Sequence, residues 1–263
     1  MVTAAGFAQH VSMLIRPPTP QAAQRTMCGG LSLSAHVRAC LHDGEVVMLD
    51  LRQNRYLGIS SAKLAALAPA VRGWPQVPSS PHVHVPEADV DRLAAPLLKQ
   101  GILTRGPGTA PCPSPLPIAT RSLNADDLVA SASVGVYRTL SFLRSSTAAS
   151  LCLRLRSLHA IAGATSARRD RAQTRDAAPA VDALQQAVAA HMRLRPLLHA
   201  THYRCLHDAL SLIGFLSSEG LFPHWVIGVA TRPFRAHSWV QSGDLVLNDL
   251  HENVQRYTPI LVA

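Results

Sequence analysis

The sequence predicts an α+β protein in two parts: a small three-stranded domain with helices, then a larger domain in which helices precede an antiparallel sheet. Three observations predict it. Hydrophobic residues make up 48% and charged residues 16% of the 263 positions, enough to bury a real core. Ala and Leu carry most of that content and aromatics only 5%, which favours packed helices over an all-β chain. The third is a change in period: apolar residues alternate over residues 31–59 and recur at helical spacing later.

Residues 1–30 read as an N-terminal extension, with Pro17, Pro18 and Pro20 and a closing Gly29-Gly30. Met27 stands just before the first patterned segment and is a candidate start of translation; native protein that retains residues 1–26 would contradict it. Leu31, Leu33, Ala35, Val37 and Ala39 alternate as one half-buried strand, and His42-Asp43-Gly44 is a hairpin turn. Glu45 to Leu51 is a second strand, Arg52-Gln53-Asn54 a turn, and Arg55 to Ile59 a third strand. Ser60 or Ser61 caps a short helix from Ala62 to about Ala68, stopped by Pro69. Val90, Leu93, Ala94, Leu97 and Leu98 then give a helix over Glu87 to Gln100, with Gly101 as its C-terminal stop.

The expected first domain is therefore 31–105. Residues 106–124 follow as a Pro-rich linker, and 125–263 as the second domain. Ala125 to about Ala200 holds at least three helical segments, with Arg168 to Asp176 a solvated loop or helix face. Cys205 to Ser217 places Leu206, Ala209, Leu210, Ile213 and Leu216 on one helical face, ended by Gly220. A strand from Trp225 to Ala230 comes next. Then Ala236 to Leu250 forms two alternating strands around Ser242-Gly243-Asp244.

The net charge of +9 and pI near 10.0 suit a polyanion, an acidic peptide or an acidic membrane surface, although a base-composition bias towards Arg codons gives the same charge. A winged-helix-like domain in a basic chain suggests DNA, but residues 60–100 offer no second helix with a base-reading face, so nucleic acid is not expected. Cys28, Cys40, Cys112, Cys152 and Cys205 are odd in number and contain no C-x-x-C pair, which argues against a secreted disulfide framework. No membrane span and no signal peptide are read, and the expected location is the cytoplasm.

Chemistry concentrates in the last quarter. A cysteine beginning a helix has unpaired backbone N–H groups and the macrodipole to favour a thiolate, which makes Cys205 the candidate nucleophile. If the hairpin loop is the three residues Ser242 to Asp244, His237 faces Asp249 on one sheet face. The carboxylate then fixes the imidazole tautomer while His237 acts as base, giving a catalytic set of Cys205, His237 and Asp249. A two-residue loop would instead bring Asn248 opposite His237, so Asn248 is the reserve candidate. A metal site from Cys205, His207, His224, His237 or His251 matches no recognised ligand spacing, and none is expected.

Taken together, the Cys-led helix (Cys205, Leu206, Ala209, Leu210), Gly220, Trp225-Val226-Ile227-Gly228-Val229, Pro233 to Val240 and Val246-Leu247-Asn248-Asp249 resemble the B-type maturation proteins of lasso-peptide biosynthesis. These are transglutaminase-like (papain-like) cysteine peptidases; the family often has Ala at the position of Ser238. Val47 to Leu51 with Arg55 to Ile59 is similar to the leader-recognition element related to the pyrroloquinoline-quinone peptide chaperone. The resemblance implies a leader groove lined by Arg55, Tyr56, Leu57, Val90, Leu93 and Leu97. It further implies a ribosomal precursor peptide as substrate and an asparagine-synthetase-like macrolactam synthetase as partner. ATP is used by that synthetase, and no cofactor is bound by the peptidase. An oxyanion hole would include the Cys205 backbone N–H, with Tyr203 or Arg204 as guesses for its second donor. An acyltransferase and a non-catalytic peptide chaperone are the alternatives.

Overall fold

The computed structural model describes residues 30–59, 67–75, 86–106, 116–123, 132–173, 181–197 and 205–263. The expected N-terminal extension, the candidate start Met27, most of the short helix from Ala62, and Tyr203 and Arg204 lie outside the described residues.

The N-terminal module contains β1 (Leu31–Leu33), β2 (Val37–His42), β3 (Glu45–Asp50), β4 (Arg55–Ile59), β5 (Val71–Arg72), α1 (Glu87–Lys99) and β6 (Leu103–Arg105). They form two sheets, ordered β2-β3-β4 and β5-β1-β6. Asp43 and Gly44 both take positive φ (47° and 76°), the twist a two-residue hairpin loop requires, and set His42 opposite Glu45. Between β3 and β4, the Asp50 carboxylate accepts the N–H groups of Arg52 and Gln53. The α1 helix ends as expected at Gly101, φ 71°. The Gly101 N–H bonds the Leu98 carbonyl and the Ile102 N–H bonds Leu97.

The single strand expected over residues 31–39 is two strands in different sheets. Alternation persists through Ser34, Ala35 and His36, but the chain turns there: Val37 N–H bonds back to the Ser34 carbonyl. Ser34 itself is tied to Gly101 and Ile102 at the end of α1. The two faces of β2-β3-β4 then separate. Val37, Val46 and Met48, with Leu57 and Ile59, pack with Ala94 of α1 and with β1 into one core. Cys40, Val47, Leu49 and Leu51, with Tyr56, join the core of the second domain.

That domain comprises β7 (Arg121–Ser122), α2 (Val136–Leu155), α3 (Leu158–Gln173), α4 (Val181–Leu194), α5 (Cys205–Ser218), β8 (His224–Thr231), β9 (Phe234–Ser242), β10 (Leu245–Val246), α6 (His251–Val254) and β11 (Thr258–Val262). Its sheet is ordered β11-β8-β9-β10-β7. At the centre lies α5, with Ala209, Leu210, Leu212, Ile213, Phe215 and Leu216 all buried. The face α2 turns inward is mostly small, Ser141, Ser145, Ser146 and Ala149, with Phe142 fully buried beside them. A Cβ on Gly214 of α5 would come 3.2 Å from the Ser145 Cβ, so these two helices approach as closely as glycine allows. The apolar residues Val136, Tyr137, Leu140, Leu151 and Leu155 of α2 point outward instead.

Part of the expected linker is structure of the second domain. Residues 107–115 lie outside the described set, but Arg121–Ser122 pairs in parallel with β10 as the sheet edge. Gln241 Nε2 donates to the Pro117 carbonyl at 2.8 Å, and Thr120 and Arg121 hold Asp244. The N-terminal module is docked, not suspended. Its Leu51 carbonyl accepts the His159 N–H at 2.9 Å, Asn54 Oδ1 accepts the Leu158 N–H, and His42 Nδ1 lies 2.9 Å from Thr258 Oγ1.

Candidate active site

Cys205 opens α5, and the first turn behind it is anchored twice. Asp208 pairs with Arg195 at 2.7 Å. His207 Nε2 donates to the Ser146 carbonyl at 3.0 Å and lies 2.9 Å from Ser150 Oγ. The helix dipole and the free N–H groups of that turn favour a negative sulfur. The helix meets the sheet where β9 has lost its neighbour: β10 ends at Val246, and the Ser238 backbone N–H is left to reach the Cys205 sulfur.

The hairpin register differs from the expected one. Ser242 pairs with Leu245 and Gln241 with Val246, so the loop is the two residues Gly243 and Asp244. Carried down the ladder, that register would set Leu250 opposite His237, not Asp249 or Asn248. The ladder does not continue. After Leu247 bonds Val240, Asn248 Oδ1 takes the Val240 N–H at 2.8 Å and the chain bends out of the sheet. Asp249 is thereby swung onto His237 Nε2. Asn248, the reserve candidate, makes the bend and does not touch the imidazole ring.

Asp249 is fixed on both oxygens. Oδ2 takes His237 and the Asn253 amide (2.9 Å), and Oδ1 takes the Leu250 N–H at 2.7 Å. With Nε2 engaged, Nδ1 is the ring nitrogen left for the thiol. The imidazole is tilted against Tyr257 (5.2 Å between centroids) and stacked on Trp239 (6.0 Å). Gly228 lies opposite His237 in β8, and a Cβ there would come within 2.7 Å of Trp239 and 2.9 Å of Tyr257. The absence of a side chain at Gly228 is what lets these rings hold the imidazole.

The electrostatics follow from these contacts. The hydrogen bond with His237 lowers the Cys205 thiol below its usual value; burial opposes it, and the Ser238 and Leu206 N–H groups assist. Burial alone would lower His237, but the bonds to Asp249 and Cys205 outweigh it and raise the imidazole to about 9. Burial likewise acts to raise Asp249, and the bonds from His237, Leu250 and Asn253 hold it below the ordinary carboxyl value. Cys40, buried without such partners, is pushed up to about 12. A thiolate beside an imidazolium, oriented by a carboxylate, is equipped for nucleophilic attack on an acyl carbon.

Of the expected leader-binding residues, Leu57, Val90, Leu93 and Leu97 come together around the module's own core, and Arg55 reaches Gln100 at the end of α1. Tyr56 is not with them. It lies on the opposite face, its ring edge-on to Phe234 of β9 at 5.2 Å. Strand β4 is the edge of its sheet. Sequence reasoning missed Trp239, Asn253 and Tyr257. Trp239 had a signal, sharing the strand face of His237 two residues on, and Asn253 had one in its i+4 spacing from Asp249; Tyr257 had none. Of the residues weighed for a metal, Cys205 meets His237, while His207 turns to Ser146 and Ser150 and His251 to Ser122; among the described residues no three His, Cys, Asp or Glu side chains are grouped as a metal ion would need.

Comparison with known proteins bears on the same region. Residues 143–262 match the Transglutaminase-like superfamily, a span that contains α5, β8, β9 and Asp249. The Microcin J25-processing protein McjB of Escherichia coli is 47% identical over 45 residues, 17% of this chain and 22% of that protein. The match therefore spans about a fifth of the curated relative's length. No solved structure matches the chain.

Proposed function

We propose that this chain, with its transglutaminase-like domain over residues 143–262, is the leader peptidase of a lasso-peptide pathway. It binds the leader of a ribosomal precursor and cuts it from the core. The observation that carries the reading is the connected set of Cys205, His237 and Asp249 at the mouth of α5. The partial similarity to a microcin-processing protein supports the substrate class, and the edge strand β4 beside α1 supplies a place for an extended leader to add as a further strand.

In this mechanism the Cys205 thiolate attacks the scissile carbonyl, and the oxyanion takes hydrogen bonds from N–H groups at the start of α5. His237 gives its proton to the leaving amine as the C–N bond breaks, which frees the core and leaves the leader as a thioester on Cys205. His237 then takes a proton from water, the resulting hydroxide displaces the sulfur as thiolate, and the thiolate–imidazolium pair is restored. Asp249 holds the ring through both steps. The released core amine is the group that an ATP-using synthetase partner would join to an acidic side chain.

Mass spectrometry of the cognate precursor with wild type and Cys205→Ala, with and without the synthetase, tests the reading. A leader fragment that forms with wild type and is absent with Cys205→Ala is expected. A new amide in place of a free carboxylate would make the chain an acyltransferase. Intact precursor in every tube, despite leader binding, would leave a peptide chaperone.

A further inference from the structure

We propose that the outward face of α2 is a homodimer interface: it pairs, antiparallel, with the same face of a second copy of this chain about a twofold axis at the level of Ser145 and Ser146. The inference does not depend on the peptidase reading.

A helix on the outside of a domain normally turns its large apolar side chains inward. In α2 that order is reversed, for a reason within the domain. Its approach to α5 at Gly214 is so close that, Phe142 apart, the inner face holds small residues. The large ones go outward. Val136 and Leu155, at the two ends, are 77% and 73% exposed, and Tyr137, Leu140, Leu143 and Leu151 are exposed between them. They run the length of a 20-residue helix, about 30 Å. These six side chains expose on the order of 700 Å² per chain, more than the largest apolar patch of a typical monomer. Two copies would bury about 1,400 Å², within the range of specific, stable interfaces.

The face is also its own complement, which an isologous contact requires. Reversing α2 about the midpoint between Ser145 and Ser146 sets Leu140 against Leu151, Val136 against Leu155 and Leu143 against Ala148, all exposed. Helical period alone makes exposed positions mirror one another, but it does not make their chemistry agree. Here apolar meets apolar, and the two exposed cations of α2 meet no cation. Arg144 faces Thr147. Arg154 faces the ring of Tyr137, a cation–π partner whose hydroxyl is already held by the Ser218 carbonyl. Since α2 contains no Asp or Glu, a parallel pair in register would instead set Arg144 on Arg144 and Arg154 on Arg154. An acidic partner would suit both arginines, yet it leaves the apolar mirror without a purpose. Contact along the whole stripe needs the shallow crossing of about 20° found in helix pairs.

Sedimentation equilibrium of the full chain tests the pairing. Wild type should approach twice 28.2 kDa as its concentration is raised through the micromolar range. Leu140→Glu and Leu151→Lys change exposed positions, so each should keep the circular dichroism of wild type and weaken association by about tenfold or more. Thr147→Arg, which sets a cation against Arg144 and touches neither leucine, should do the same. An equal mixture of Leu140→Glu and Leu151→Lys should dimerise again, because each mixed pair makes one Glu–Lys and one Leu–Leu contact. Wild type that stays at 28.2 kDa overturns the proposal. Binding of that monomer to phosphatidylglycerol vesicles, lost in Leu140→Glu, would then make the face a membrane contact. A dimer that all three variants leave intact has its interface elsewhere and overturns the proposal as well. A mixture no more associated than its two components overturns the antiparallel register.

Discussion

The N-terminal module and the domain behind it are packed on different principles. The module's core is mainly aliphatic, from Leu31, Leu33, Val37, Val46 and Met48 to Ile102 and Leu103, with Trp74 as its buried aromatic. Its buried polar side chains close its own loops: Ser32 on Gly106, Ser34 on Gly101, and Asp50 on the turn after β3. In the second domain polar groups run through the core itself. Ser141, Ser145, Ser146, His191, His207, Asp208, Ser211, Ser238 and Gln241 are all buried, and most are hydrogen-bonded across elements. An aliphatic core needs only shape, whereas a polar one is stable only when each group meets its partner, and so fixes geometry more tightly. The difference suits the proposed division of labour, a module to take the leader along its edge and a domain to hold a thiol, a ring and a carboxylate in line.

The largest effects test the polar side of that comparison. Asp249→Ala should lower kcat/KM on the precursor by roughly 10²–10⁴-fold, with little change in unfolding temperature. The pH profile should change as well. In wild type the reactive pair is thiolate and imidazolium, so activity rises as Cys205 ionises below its usual value and falls as His237 loses its proton near 9. Asp249 acts to raise His237, so without it the basic limb should move to lower pH. A profile that keeps its basic limb in Asp249→Ala would detach the carboxylate from the site.

Next come two neighbours on β3 that face opposite ways. Met48 and Leu49 are both fully buried, one in the module's core and one in the domain's. Each change to Ala should cost about 2–5 kcal/mol in denaturant unfolding. Met48→Ala should weaken leader binding and leave the pH profile of Cys205 alkylation alone; Leu49→Ala should disturb both. Equal effects on alkylation would mean that the two cores do not separate. Gly228→Ala should cost less, about 1–3 kcal/mol, as Trp239 and Tyr257 are driven apart. Its loss of activity should exceed its loss of stability, because those rings hold His237.

What the sequence showed follows the same division. Strands Glu45–Asp50 and Arg55–Ile59 and the helix Glu87–Lys99 were legible, since alternation, helical spacing and a Gly stop are local signals. So was the helix that Cys205 opens. The break after Leu33 was not, because alternation runs through it while Ser34 answers to α1, distant in sequence. Nor was the inward face of α2 legible, because much of its apolar content points to solvent while serines face α5. The contact of His237 with Asp249 was reached from a three-residue loop that does not exist. The real route depends on Asn248 pulling the chain from the ladder, and no periodicity encodes that.

The smallest expected effect concerns the place where the polar core breaks its own rule. Arg169 of α3 is 8% exposed, yet among the described residues its Nε and Nη1 find no hydrogen-bond partner, and Nη2 lies 3.6 Å from the exposed Asp170. Thr165, Arg168, Ile213, Ser217, Phe222 and Pro223 line the small cavity beside it. A buried guanidinium left this incomplete costs desolvation that a weak contact does not offset, and methionine fills similar volume with no charge. Arg169→Met should therefore unfold within about 1 kcal/mol of wild type, or above it. A loss of about 2 kcal/mol or more would mean that the guanidinium gains a partner in solution, such as an anion in that cavity. Arg169 would then join the satisfied polar network it now interrupts.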